Sequence, residues 1–190
     1  MFMTGSSKQI FHNHFYSLVT PPNKEQLLDK ISTLKPSNYQ HIPWYQKERG
    51  TKHERVDHDD ILVELSPSIK IFFEELGINP QVSMKITDIW TNVYSWGSYQ
   101  EIHDHHRADL IAVVFVEDNH KDASQFFFYN RHQSEVTYFW ESHLQTMHHV
   151  IEPKRGDVLL FPGWMLHGVT THQRKKQRKT LSLNINIHAA

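Results

Sequence analysis

The sequence of 190 residues contains no cysteine, which excludes a disulfide framework and any metal site built on thiolates. It also lacks an apolar segment long enough to cross a membrane, and residues 1–10 lack the apolar centre of a signal peptide. The formal net charge is only −1, so no overall field attracts the chain to nucleic acid or to a membrane surface. We therefore expect a cytoplasmic protein in which any metal ion would be held by histidine, carboxylate or water.

Hydrophobic residues make up 38% of the chain, and aromatic residues alone make up 12%. This supplies enough apolar side chain for one core, and a chain of this length is most simply one domain, here residues 1–190. Within it we expect residues 81–188 to form the core of the fold and residues 1–80 to support that core.

Residues 1–80 contain a predicted outer strand over residues 10–19 and two predicted helices. Asn23 is a suitable N-cap for a helix that runs to about residue 34. Ser66 followed by proline has the residue types of a helix start, and Gly77 is typical of the position that closes a helix. The polar segment 37–60 between them predicts a long loop, which either covers a site or makes a surface excursion.

After residue 81 the sequence changes to short apolar or alternating segments separated by Gly, Asp, Asn and Pro, a pattern typical of β-strands. The predicted strands are 82–94, 99–105, 109–117, 124–130, 134–140, 145–152, 157–161, 164–170 and 178–188. Two helices followed by many short strands predict a mainly β fold, a jelly roll or β-sandwich with two or more helices packed outside.

The last predicted strand has two very different faces. Alternation places Leu181, Leu183 and other apolar residues on one face, which must be buried. The opposite face carries Arg178, Thr180 and Ser182. An exposed strand face usually carries Lys and Glu, whereas short hydroxyl groups beside one Arg suit a polar cavity inside a barrel.

His103 and His105 are two residues apart on a predicted strand, so their imidazoles point to the same side, while Asp104 points away. Two imidazoles on one face are suited to a first-row transition metal, although an exposed polar strand fits the spacing as well. The chain contains 16 His residues, and about one such pair is expected by chance. A second pair occurs at His12 and His14, where no site is expected. His167 ends a later turn–strand–turn segment and is the candidate third ligand.

Several motifs occur in a particular order over roughly residues 84–188. They are Asn92-Val-Tyr94, Gly97-Ser-Tyr99, His103-Asp-His105, Pro153-x-x-Gly156-Asp157-x-Leu-Leu-Phe161-Pro162, His167 and Arg178-x-Thr180-x-Ser182-x-Asn184. In this ordered set the chain resembles the iron(II)- and 2-oxoglutarate-dependent oxygenases, and most of all a small branch from phages and marine bacteria. The resemblance implies a double-stranded β-helix, which is a cupin-like jelly roll. It also implies iron(II) as the metal, 2-oxoglutarate and O2 as cosubstrates, and a hydroxylase activity on a substrate that the sequence does not identify.

The resemblance also assigns roles to residues. It implies that His103 and His167 are metal ligands, with His105 as the third. Arg178 corresponds to the residue that pairs with the distal carboxylate of 2-oxoglutarate, since a guanidinium fork suits a carboxylate. Further cosubstrate contacts are implied for the polar residues Thr180, Ser182, Asn92, Tyr94 and Tyr99.

At the middle ligand position the chain departs from most of the superfamily, which has a carboxylate where this sequence has His105. In the small branch His-x-His is common, so three imidazoles are expected; a bulge that re-aims Asp104 is the alternative. Two other functions also fit the sequence. One is a three-His cupin-like metalloenzyme that uses no keto acid, and the other is a non-enzymatic jelly roll with a closed metal site, for example with His148 or His149 as fourth ligand. The sequence leaves the oligomeric state open.

Overall fold

The computed structural model describes residues 15–36, 52–56, 61–78, 81–118, 123–130 and 148–189. The predicted strand 134–140, the first part of the predicted strand 10–19 and most of the predicted loop 37–60 lie outside the described residues. Neither described helix has the length and hydropathy needed to span a lipid bilayer.

The described elements are two helices and ten strands, in an order that matches the predicted change from helix to strand. The helices are α1 (Lys24–Thr33) and α2 (Ile61–Glu75). The strands are β1 (Ser17–Val19), β2 (Lys52–Arg55), β3 (Val82–Tyr94), β4 (Gln100–His103), β5 (Leu110–Phe115), β6 (Phe126–Tyr129), β7 (His148–Val150), β8 (Val158–Pro162), β9 (His167–Val169) and β10 (Arg178–Ala189).

The strands form two antiparallel sheets. The larger sheet has the strand order β1-β8-β5-β10-β3-β2, and the smaller has the order β4-β9-β6-β7. Neighbours in both sheets are mostly distant in sequence, as expected for a jelly roll, whose strands alternate between two facing sheets. The predicted mainly β jelly roll is confirmed.

Both helices lie outside the larger sheet, as predicted. Leu27 and Ile31 of α1 and Leu65 and Ile69 of α2 pack with the apolar face of β10 in one buried cluster. A second buried cluster, which includes Phe126, Phe128 and Phe161, fills the space between the two sheets. The larger sheet is therefore covered on both faces, and this is why β5 and β8 read as continuous apolar runs rather than as alternating ones.

The second helix begins five residues before the predicted start at Ser66. It starts at Ile61, so Pro67 lies inside the helix, where it cannot donate a hydrogen bond to the carbonyl of Val63. The Ser66 hydroxyl donates to that carbonyl instead, at 2.8 Å. The Ser-Pro pair thus removes one backbone hydrogen bond inside α2, which the Ser66 hydroxyl replaces, and it does not mark the start of the helix.

The helix ends show one confirmed signal and one correction. Gly77 has a φ of +66° and closes α2, with Ile78 N–H bonded to Phe73 O at 2.9 Å and Gly77 N–H bonded to Glu74 O at 3.0 Å. Asn23 is at the N-cap position of α1 but makes no capping bond. Its amide donates to the Glu64 carboxylate at 2.9 Å, so the side chain joins the two helices.

The predicted long loop contains a strand in its described part. β2 pairs with β3, with Glu54 opposite Thr91 and Arg55 opposite Trp90, and forms the outer edge of the larger sheet. Arg55 also forms an ion pair of 2.9 Å with Asp88 of β3. The sequence did not predict this strand because β2 is polar. An edge strand with one exposed face needs few apolar residues, so it lacks the usual strand pattern.

Candidate active site

Three histidine side chains meet between the two sheets. His103 ends β4 and His167 begins β9, and the two residues are directly opposite each other in the antiparallel pair. His105 follows in the next turn. The ring centroids are 4.4 Å apart for His103 and His167, 5.0 Å for His103 and His105, and 5.2 Å for His105 and His167. One ring nitrogen of each lies within 4.8 Å of the other two, which is close enough for one metal ion.

Backbone carbonyls orient two of these imidazoles. His103 Nδ1 lies 2.7 Å from Glu101 O, and His167 Nδ1 lies 2.8 Å from Met165 O. Because a carbonyl only accepts, the proton must be on Nδ1 in both rings, and the Nε2 lone pair is left for a metal.

Burial keeps these imidazoles neutral. Desolvation lowers the pKa of His103 below its usual range. It lowers the pKa of His167 further, and the neighbouring His103 and His105 add to this effect. Since only neutral imidazole binds a metal ion, these two rings are in their binding form at neutral pH.

His105, rather than Asp104, shares this space with His103 and His167. His105 N–H donates to Gly163 O at 2.7 Å, which fixes the turn that carries it. The Asp104 carboxylate lies 3.0 Å from His106 Nε2, outside the three-imidazole group. The predicted alternation of side chains thus holds beyond the end of β4.

Arg178 begins β10 and is only 3% exposed. Its Nη1 donates to Ser124 Oγ at 2.9 Å and to Ser124 O at 3.0 Å, and its guanidinium carbon lies 5.1 Å from the Tyr94 ring centroid. Its Nε and Nη2 have no hydrogen-bond partner among the described residues. Burial lowers the pKa of Arg178, but an Arg side chain stays charged under these conditions.

A hydrogen-bonded network lines the wall between the imidazoles and Arg178. The Trp90 indole donates to Asn92 Oδ1 at 2.9 Å, and Asn92 Nδ2 donates to Ser182 Oγ at 2.8 Å and to Thr180 Oγ1 at 3.2 Å. Each hydroxyl accepts from Asn92, so its own proton is free to be donated elsewhere. Thr180 and Ser182 can therefore add donors beside the guanidinium.

One cavity joins all of these groups. It is lined by Trp90, Asn92, Tyr94, Gln100, His103, His105, Ile111, Val113, Phe126, His167, Val169, Arg178, Thr180 and Ser182. The sequence therefore identified most of its polar lining. It missed Gln100, and it missed Ser124, which holds Arg178 and has no signal in the sequence because its partner is 54 residues away.

Tyr99 is the predicted site residue that the structure does not bring to this cavity. It is 41% exposed and does not line the cavity. Strict alternation would place Tyr99 on the same face as His103. The pairing of β4 with β9 shifts register between Gln100 and His103, and this bulge turns Gln100 inward in place of Tyr99.

The residues fit a divalent metal and a carboxylate. Three neutral nitrogen donors are suited to a first-row transition metal and leave coordination positions for other ligands. A buried guanidinium with two donors that have no acceptor among the described residues is unfavourable unless a ligand binds there, and a carboxylate has the matching geometry. Predicted fourth ligands are not part of this group: His148 and His149 are exposed on β7, and His149 Nε2 lies 2.7 Å from the Tyr16 hydroxyl.

Comparison with protein families gives one match. The sequence profile of the family described as "Putative 2OG-Fe(II) oxygenase" matches residues 88–184, slightly more than half of the chain. The matched segment contains all three imidazoles, Arg178 and the hydrogen-bonded network. No functionally curated protein matches the chain.

Several solved structures share the fold. A prolyl-4-hydroxylase from Pseudomonas putida is 12% identical, with a TM-score of 0.55 over 94% of this chain and 94% of its own. HygX from Streptomyces hygroscopicus, solved with nickel and 2-oxoglutarate bound, is 11% identical, with a TM-score of 0.58 over 92% of this chain and 83% of its own. The non-haem α-ketoglutarate-dependent epimerase SnoN from nogalamycin biosynthesis is 13% identical, with a TM-score of 0.60 over 92% of this chain and 79% of its own.

Proposed function

This chain belongs to the 2OG-Fe(II) oxygenase family, and from that premise we propose which of its residues carry out the family's reaction. It is an oxidoreductase that depends on iron(II) and 2-oxoglutarate. When both are bound, they supply the oxidation of a substrate C–H bond by O2, coupled to decarboxylation of the keto acid. The protein's part is to bind, orient and shield these groups.

We assign the iron(II) to His103, His105 and His167. The support is the convergence of three ring nitrogens within 4.8 Å and the two carbonyl bonds that direct Nε2 of His103 and His167 inward. Phe126 lies parallel to the His167 ring at 5.3 Å and closes one side of the site with apolar surface, which excludes water from it.

We assign the distal carboxylate of 2-oxoglutarate to Arg178, with Thr180 and Ser182 as additional donors. The observation that carries this assignment is that Nε and Nη2 have no acceptor within the described part of the chain, although the side chain is only 3% exposed. Asn92 acts through the two hydroxyl groups that it orients, and Tyr94 supports the guanidinium with its ring face.

We also propose that residues 1–190 form a single domain and that the protein works in the cytoplasm, where iron(II) stays reduced. The His103-x-His105 pattern supports an origin in the phage and marine-bacterial branch of the family.

The function is tested by measuring O2 uptake and succinate release in the presence of iron(II) and 2-oxoglutarate, with and without a chelator. Substrate-independent turnover of the keto acid is expected to be slow but dependent on both. Metal binding without any binding of 2-oxoglutarate would favour a three-His metalloenzyme that uses no keto acid. A metal that cannot be exchanged, together with no O2 uptake, would favour a structural metal site.

A further inference from the structure

A second histidine is buried close to Arg178 but outside the metal group. His172 lies in the segment between β9 and β10 and is 1% exposed. Neither the iron(II) assignment nor the carboxylate assignment uses it. A fully buried polar ring must have partners for both nitrogens, and those partners define its role.

The two ring nitrogens of His172 face different groups. Nε2 lies 2.8 Å from Lys176 O, which only accepts, so Nε2 carries the proton. Nδ1 lies 3.3 Å from Ser124 N and 3.2 Å from Ser124 Oγ. Because the Ser124 backbone N–H can only donate, Nδ1 must be the acceptor, and His172 is held as the neutral Nε2–H tautomer.

This tautomer determines the direction of the next hydrogen bond. The Ser124 hydroxyl donates its proton to His172 Nδ1, so the lone pairs of its oxygen face the other way. Arg178 Nη1 donates to that oxygen at 2.9 Å and to the Ser124 carbonyl at 3.0 Å. His172, Ser124 and Arg178 therefore form a directed chain, which we call the arginine anchor.

The arginine anchor decides which edge of the guanidinium remains available. Nη1 donates to Ser124. Nε and Nη2 lie along the other edge of the planar guanidinium group and have no partner among the described residues. That edge matches a carboxylate with two parallel hydrogen bonds. If the Ser124 hydroxyl rotated, its proton would face Nη1, and the guanidinium would keep only its bond to the Ser124 carbonyl, which alone fixes its orientation less firmly.

We propose that His172 is a positioning residue for the cosubstrate: through Ser124 it holds Arg178 in the orientation that receives the distal carboxylate of 2-oxoglutarate. This rests on the proposed function, since it presupposes that Arg178 binds that carboxylate. The backbone of the same residue also joins two turns, with His172 N–H bonded to Ser98 O at 2.7 Å and Gly97 N–H bonded to His172 O at 2.9 Å. Side-chain variants leave these backbone bonds available, so they isolate the ring.

Two conservative substitutions distinguish a role of His172 in orienting Arg178 through Ser124 from a role only in its loop contact with Lys176. His172→Asn can place an amide oxygen near the position of Nδ1, which keeps an acceptor for Ser124 and gives up the contact with Lys176. His172→Gln can place an amide nitrogen near the position of Nε2, which keeps the donor to Lys176 and gives up the acceptor. The arginine anchor predicts rescue by Asn, whereas a loop contact predicts rescue by Gln.

The measurement is calorimetric titration of 2-oxoglutarate into the iron(II)-loaded protein without O2, with the metal affinity measured in parallel. We expect His172→Gln and His172→Leu to weaken 2-oxoglutarate binding roughly tenfold, His172→Asn to stay near wild type, and metal affinity to change little in all three. The exposed His188, at the far end of β10, supplies the control variant His188→Gln, which should match wild type.

Ser124→Ala keeps the test decisive if a His172 variant fails to fold, since it removes one oxygen from a buried residue. It should weaken 2-oxoglutarate binding by a similar factor, and His172→Leu should add little to it, because both act through one bond. Rescue by Gln instead of Asn, equal affinity in all variants or additive losses would overturn the proposal. Absence of 2-oxoglutarate binding by the wild type would instead remove the proposed function, and the inference with it.

Discussion

At the scale of single residues, the site combines three imidazoles, two of which have a pKa lowered by burial, with one guanidinium that stays charged when buried. The imidazoles can accept a metal ion, and two donors of the guanidinium have no acceptor among the described residues. Both properties come from low exposure, but they act in opposite directions. Imidazole gives up its proton when water is removed, whereas a guanidinium keeps its proton and requires a counter-charge.

The metal assignment predicts different outcomes for neighbouring residues. His103→Ala and His167→Ala should each abolish stoichiometric metal binding, because two imidazoles hold a divalent ion far less tightly than three. His105→Ala should weaken binding strongly, while Asp104→Ala should leave it nearly unchanged. Metal content after dialysis gives the result, with the exposed His188→Ala as control. If the Asp104 variant lost the metal and the His105 variant kept it, the carboxylate would be the middle ligand.

The carboxylate assignment predicts an effect of Arg178→Ala on one ligand only. Binding of 2-oxoglutarate should weaken by well over tenfold, because a charge-assisted pair contributes about 2 kcal/mol or more. Arg178→Lys should restore only part of this, since an ammonium group cannot make two parallel bonds to a carboxylate. Calorimetry on the metal-loaded protein measures the affinity. The adjacent Lys179→Ala is the matched control, and an equal loss for it would point to a general charge effect.

At the scale of elements, close backbone contacts set the position of the ligands. Gly163, in the turn between β8 and β9, accepts the bond from His105 N–H. A Cβ at this position would lie 2.1 Å from Ala108 O and 2.7 Å from His105 O. Backbone atoms cannot move aside as a flexible side chain does, so only glycine allows this approach.

Gly163→Ala should therefore displace the turn that carries His105. We expect a loss of both folding stability and metal affinity, measured by thermal unfolding with and without metal. Gly97→Ala is the control, because a Cβ there meets nothing within 4 Å although φ is +81°. That variant should lose only about 1–2 kcal/mol of stability from the left-handed backbone and keep its metal. Unchanged metal binding by Gly163→Ala would show that the turn can adjust without moving the ligand.

The interruption of α2 predicts a stabilising substitution. Pro67→Ala restores the backbone N–H that can bond to Val63 O, and should raise the free energy of unfolding by about 1–3 kcal/mol. In the wild type the Ser66 hydroxyl serves that carbonyl, so Ser66→Ala should be destabilising there and nearly neutral in the Pro67→Ala background. Denaturant unfolding of the four proteins measures this coupling. Equal effects of Ser66→Ala in both backgrounds would contradict it.

At the scale of the whole molecule, the larger sheet has one face on the helices and the other face towards the site. Leu65 of α2 is fully buried against this sheet, while Val63 on the same helix is 66% exposed. If the chain is one domain, the helices and the jelly roll unfold together, and loss of packing at the helices is felt at the site.

Leu65→Ala should destabilise the whole chain by about 2–5 kcal/mol in one transition, whereas Val63→Ala should change stability by less than about 1 kcal/mol. Far-UV circular dichroism and tryptophan fluorescence should give the same unfolding midpoint for each variant. Separate midpoints for the two signals would show that the helices and the sheets unfold independently.

The sequence alone determined the features that follow from local periodicity. The pattern of short apolar and alternating segments predicted β3 and β10, and alternation over β10 placed Arg178, Thr180 and Ser182 on one polar face, because strand geometry repeats every two residues. The ordered motifs then predicted the family, the fold and the cofactors, and these are confirmed.

Only the tertiary structure decided what depends on contacts between distant segments. The register shift in β4 turned Tyr99 outward. Helix α2 begins before Ser66, at Ile61, because Leu65 and its neighbours are buried against the sheet. The polar segment β2 is a strand because it pairs with β3. Ser124 and His172 became partners of Arg178 across the fold. Periodicity describes one segment at a time, whereas a bulge, an edge pairing or a buried hydrogen-bonded chain is a property of two or three segments together, and no single segment carries its signal.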